Sequence, residues 1–174
     1  GHTGEVATMV LVPDVVDAVA PVPVLAAGGI GSGRQMAAAM ALGADGVWTG
    51  SIWLTTIENE TGPVVTEKLL GATSTDTVRS RSLTGKPARM LRTAWTEAWE
   101  APESPGTLPM PLQFILNSYA TQKMGRTPPP GLVGMPVGQI VSRMNAVRTS
   151  KQVVFDMVEE YVDVTQKQAA DLDD

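Results

Sequence analysis

Cysteine is absent from all 174 positions. That excludes disulfides, thiolate metal sites and a cysteine nucleophile, and it is compatible with a cytoplasmic setting. Histidine occurs once, as His2, so these residues can assemble neither a Cys–His pair nor a His-rich metal site. Cations are outnumbered: 13 Lys and Arg stand against 18 Asp and Glu, a net charge of -5 that offers no basic face for nucleic acid. Long apolar runs are missing too. Val22 to Ile30 is too short and too glycine-rich to span a bilayer, and no charged-then-apolar leader opens the chain. The serine-hydrolase pattern GxSxG does not occur. There is no initiator methionine. The chain opens at Gly1-His2-Thr3-Gly4, inside what reads as a working motif, so a fragment of a longer protein is expected, with a trimmed domain as the other possibility.

What is present is organised around Val22 to Ser51, VPVLAAGGIGSGRQMAAAMALGADGVWTGS. Val24 to Ala27 is short, apolar and without alternation, which predicts a strand buried on both faces of a parallel sheet. Gly28-Gly29-Ile30-Gly31 is a turn, Ser32 caps a helix over Gly33 to Leu42, and Gly43 stops it. Asp45 to Thr49 predicts a second buried strand, and Gly50-Ser51 a second turn. Strand–helix–strand over this length is a βαβ unit with a right-handed crossover.

Around this unit the pattern is mostly helical. Val10 to Ala20 carries apolar residues at Val12, Val15, Val16 and Val19, a helical spacing with Pro13 in the first turn. Further helices are predicted over Val64–Leu70, Ala88–Glu100, Leu112–Lys123, Val137–Met144 and Thr149 to about Ala169. Thr73–Pro87 reads as a polar loop with at most a short extended piece. Gly125–Gly138 reads as a Gly/Pro loop, and the tail DLDD as frayed. The expected division is residues 1–60, part of a barrel, and residues 61–174, mostly helical.

Both glycine turns fall where a strand ends and a helix is about to begin. Unpaired N–H groups and the helix dipole suit a phosphate there. In a (β/α)8 barrel, neighbouring strand ends share one face, and the phosphate site commonly uses the last two loops. Gly28, Gly29, Gly31 and Gly33 do not give the dinucleotide spacing GxGxxG. His2, between small residues, can act as a base when neutral or attract an anion when charged. Arg79, Arg81, Lys86 and Arg89 form either a solvated loop or a flap over an anion. Trp95 and Trp99, one helical turn apart, read as packing residues rather than a stacking platform.

The segments GHTGEVATMVLVPDVVDAV and VPVLAAGGIGSGRQMAAAMALGADGVWTGSIWL resemble the C-terminal part of the nitronate monooxygenases, once called 2-nitropropane dioxygenases. The resemblance continues through SLTGKPARMLRTAW and VGMPVGQIVSRMNAVRTSKQVV. It implies an FMN-dependent TIM barrel, of which the last two or three strands and a helical segment are present. It also implies that His2 is the catalytic base. Gly28 and Gly29 would hold the FMN phosphate, and Trp48, Thr49, Gly50 and Ser51 would complete the phosphate and ribityl site. The implied reaction joins a small nitronate and O2 to give a carbonyl compound and nitrite, without nucleic acid or membrane, and a homo-oligomer is allowed. FMN-dependent enoyl-acyl carrier protein reductases carry similar turns and are the alternative enzyme. An inactive fragment serving as a structural or interaction domain is the alternative outside enzymes, because a TIM barrel takes about 250 residues.

Overall fold

The computed structural model describes residues 3–173. The βαβ unit forms as local chemistry dictates. Strand β1 (Leu25–Ala27) pairs in parallel with β2 (Gly46–Trp48), with Leu25 opposite Gly46 and Ala27 opposite Trp48. The crossover is helix α2 (Gly33–Ala41). Ser32 caps it by accepting the Gln35 N–H, and Gly43 turns the chain with φ +96°, a conformation that favours glycine. Helix α1 (Thr8–Val19) precedes β1 and buries Val12 with Ala26, Ile30, Ala39 and Ala44. It starts earlier than its apolar spacing suggests, so Pro13 lies within the helix rather than in its first turn.

The strands are shorter than predicted and are not buried on both faces. Ala26 is buried, but Leu25 is 52% exposed and Trp48 69%. A two-stranded parallel pair offers cover on one side only, and α1 and α2 supply it here.

Beyond β2 come a 3-10 turn (Ser51–Trp53) and helix α3 (Pro63–Gly71), which buries Leu69 completely. The next stretch differs from the sequence reading. Thr77–Ser80 is strand β3, antiparallel to β4 (Ala88–Leu91), with Arg79 opposite Arg89. The first four residues of the helix predicted over 88–100 are therefore strand. Thr93 restarts the chain as helix α4 (Ala94–Glu100) through a reciprocal cap with Thr96. The hairpin gains a third extended segment. The Leu91 N–H donates to the Met135 carbonyl and the Val137 N–H to that of Arg89, on either side of a Met90–Pro136 bridge.

Helix α5 (Leu112–Arg126) buries polar residues on its inner side. Gln113 and Asn117 are buried, and both donate to the Ser82 carbonyl, while Phe114, Ile115 and Leu116 are exposed. Residues predicted as a helix from Val137 form a shorter 3-10 turn, Gln139–Arg143. Helix α6 (Ser150–Asp173) is longer than predicted and continues through the acidic tail.

Ile52, Leu69, Leu91, Val137, Ile140 and Val141 are among the buried residues of a second core, to which each fully buried large aliphatic side chain contributes about 1.5–3 kcal/mol. Met157 of α6 packs against both cores and joins them.

Candidate functional site

The parallel register fixes the site. Because Ala27 stands opposite Trp48, the turns that follow, Gly28-Gly29-Ile30 and Thr49-Gly50-Ser51, leave the sheet side by side. Gly28 and Gly29 adopt φ +106° and +76°, a reversal that L side chains resist. The Thr8 hydroxyl fixes it by donating to the Gly28 carbonyl at 2.8 Å. Among the described residues, the N–H groups of Gly29, Ile30, Gly50 and Ser51 have no acceptor. A Cβ placed on Gly29 or Gly50 would meet nothing within 4 Å. Both turns face a cavity of about 590 Å³, and Gly28, Gly29, Trp48, Thr49, Gly50 and Ser51 all line it. The six residues singled out from the sequence are thus brought together.

One part of the sequence argument is corrected. The start of α2 is not open to an outside anion, because the chain supplies its own. Glu160 of α6 accepts from the Gly33 N–H at 2.7 Å and from Arg34 Nε at 2.9 Å. The Gly31 N–H donates to the Gln35 side chain at 2.9 Å. Burial works against the Glu160 charge. Its hydrogen bonds to the Arg34 side chain and to the Arg34 and Gly33 backbone, with the nearby guanidinium, outweigh that and hold its carboxyl below the usual range. The donors left free lie earlier, in the turns themselves. Ser51 is also partly committed, since its hydroxyl oxygen accepts the Gly138 N–H at 2.8 Å. The Ser51 proton remains available for donation.

Two residues join the cavity that the sequence reading did not assign to it. Arg89 lines it and is tethered through Nη1 to the Thr77 hydroxyl at 3.1 Å, so one fixed cation faces the cradle. Gln139 adds a side-chain amide. The available signal was the run Pro136-Val137-Gly138-Gln139, hidden in a loop that looked like a connector. The basic cluster divides: Arg79 reaches the amino-terminal segment instead, donating to the Thr3 carbonyl at 3.0 Å and to Glu5 at 3.2 Å. His2, the expected base, lies outside the described residues. Trp95 and Trp99 pack edge to face with centroids 6.0 Å apart, as packing residues do.

Paired strand-end turns with free N–H donors, one fixed arginine and a roomy cavity define the phosphate end of a barrel-type cofactor site. The fold is the C-terminal part of a TIM-barrel enzyme. The family model described as nitronate monooxygenase matches residues 1–160, and the chain belongs to that family. It is 63% identical over 169 residues to Rv1533 of Mycobacterium tuberculosis, a protein provisionally named a monooxygenase, covering 94% of this chain and 45% of that protein. FabK from Thermotoga maritima superposes with a TM-score of 0.81 at 33% identity, over 98% of this chain and 53% of its own. The nitroalkane oxidase of Streptomyces ansochromogenes gives 0.82 at 26% identity, over 93% and 45%. The chain therefore spans about half the length of the relatives it matches. Among the described residues, no helix is long and apolar enough to cross a membrane.

Proposed function

We propose that the chain is the phosphate-holding half of a flavin-dependent oxidoreductase whose cofactor is FMN. Its reaction would be the oxidation of alkyl nitronates or nitroalkanes by O2 to a carbonyl compound and nitrite. The observation that carries this reading is the double cradle: two adjacent turns with four unpartnered N–H groups, and glycines where a side chain would project into open space. A phosphate needs that set of donors, and Arg89 adds charge at the same cavity.

FMN would supply the electron-accepting ring that no side chain provides. The residues present do the rest. Gly28, Gly29, Gly50 and Ser51 would hold the phosphate through backbone N–H groups, and the Ser51 hydroxyl would donate to it while accepting from Gly138. Trp48 and Thr49 border the same cavity. His2 would remove the α-proton of a neutral nitroalkane, a step that a preformed nitronate does not need.

The same turns resemble those of enoyl-acyl carrier protein reductases, so reduction of an enoyl thioester by a nicotinamide is the second reading. The flavin-loaded product of the complete gene separates the two. Nitrite release from propionate 3-nitronate is expected. NADH-dependent loss of an enoyl thioester without nitrite would replace the first reading with the second.

A further inference from the structure

A second cavity, of about 230 Å³, lies between β4, α4, α5 and the Leu132–Pro136 segment. Its walls are apolar: Met90, Leu91, Met124, Leu132, Val133 and Met135 contribute. The threonine hydroxyls at its edge are already used. Thr93 and Thr96 bond each other, and Thr121 bonds its own helix. One polar group is left over. The Trp95 side chain lines the cavity, and its indole Nε1 is buried without a partner among the described residues. Buried indole N–H groups usually find an acceptor, and leaving one unmet is costly.

Size and position narrow what could meet it. Whole-substrate pockets span about 300–1000 Å³, so this one suits a side arm. Arg89 lines the cofactor cavity, whereas its neighbour Met90 lines this one, as alternation along β4 requires. Pro136 lines both. The two spaces flank the same extended segment and share a wall at its edge. Flexible methionines at three positions can adapt to arms of different shape.

We infer that this cavity receives an apolar acyl or alkyl arm of the substrate, and that the Trp95 indole N–H donates to a carbonyl oxygen on that arm. The inference rests on the flavin reading for what lies in the neighbouring cavity. It adds a substrate class: extended, apolar compounds carrying an oxygen acceptor, rather than the smallest nitroalkanes.

The test uses the flavin-loaded product of the complete gene and two ketone probes, 2-octanone and acetone. The Trp95 indole N–H signal is assigned by its loss in Trp95→Phe. It should move downfield with 2-octanone, which should bind far more tightly than acetone, about fourfold per buried methylene. Thr121→Trp, which fills the cavity, should abolish both the shift and the chain-length preference. In turnover, an eight-carbon nitronate should outrun a two-carbon one in kcat/KM, and the ratio should fall towards one in Thr121→Trp. An unmoved Trp95 signal at saturating 2-octanone, or equal affinity for the two ketones, overturns the inference. Nitrite release without chain-length preference or shift removes the arm pocket and leaves the nitronate reading standing. The shift and preference without nitrite support the pocket and count against the nitronate reading.

Discussion

Replacing Gly33 with Ala should be among the costliest single-methyl additions in this chain. A Cβ there would lie 2.2 Å from the Met157 carbonyl oxygen and 2.4 Å from the Tyr161 nitrogen, both backbone atoms of α6. Ordinary carbon contacts sit at about 3.5–4.0 Å, so α6 must withdraw from α2 by an ångström or more. Overpacking of this kind costs about 1–3 kcal/mol. Withdrawal also strains the 2.7 Å bond from the Gly33 N–H to Glu160, and a hydrogen bond to a charged group contributes about 1.5–3 kcal/mol. The Arg34–Glu160 pair adds little, because the Arg34 side chain is 64% exposed. Against these stands a gain of at most about 1 kcal/mol from alanine's better helix propensity. A net loss of about 2–4 kcal/mol follows, read as a lower urea midpoint at unchanged slope. Combined with Glu160→Ala, the two losses should be less than additive, because both act on one contact. A Gly33→Ala protein within about 0.5 kcal/mol of the parent, inside the range of neutral surface changes, would refute the claim that α6 is seated on the start of α2.

Three further outcomes are expected. Glu160 has its carboxyl held below its ordinary value, so its contribution to stability is full above the unfolded-state pKa and is lost as pH falls through the folded one. Glu160→Gln should flatten the acid limb of a stability-against-pH curve, and an unchanged limb would assign the acid sensitivity elsewhere. Gly29→Val puts a branched side chain at φ +76° and into the cradle. It should cost about 1–2 kcal/mol in backbone strain and sharply weaken flavin retention, measured by absorbance after gel filtration. Arg79→Ala removes the donor that holds Thr3 next to His2. It should slow turnover of neutral nitroalkanes more than that of preformed nitronates, and equal slowing would show that Arg79 does not serve proton removal.

The part of the fold that could be read from sequence is the part whose signals are local. Ser32, Gly43 and the two glycine turns punctuate the βαβ unit within thirty residues, and the same residues line the cavity. What escaped depends on partners far along the chain. Met90, Leu91 and Trp95 mimic a helical stripe, yet residues 88–91 become strand because β3 lies beside them. Only the Thr93–Thr96 cap hinted at the break. Glu160, 127 residues from Gly33, occupies the helix start that was expected to wait for a phosphate. Arg89 enters the cavity through that same strand pairing, whereas Arg79, its cross-strand partner, is drawn to the amino-terminal segment. Helix α6 holds together through its acidic end although the local sequence reads as frayed.

The central claim is that the turns after β1 and β2 grip a phosphate. Comparing FMN with riboflavin tests it most directly, because the two differ only in that group. With the apoprotein of the complete gene product, flavin fluorescence titration should show FMN binding at least about 100-fold more tightly, the equivalent of two charge-assisted hydrogen bonds at the low end of their range. Equal affinity for the two flavins would contradict it.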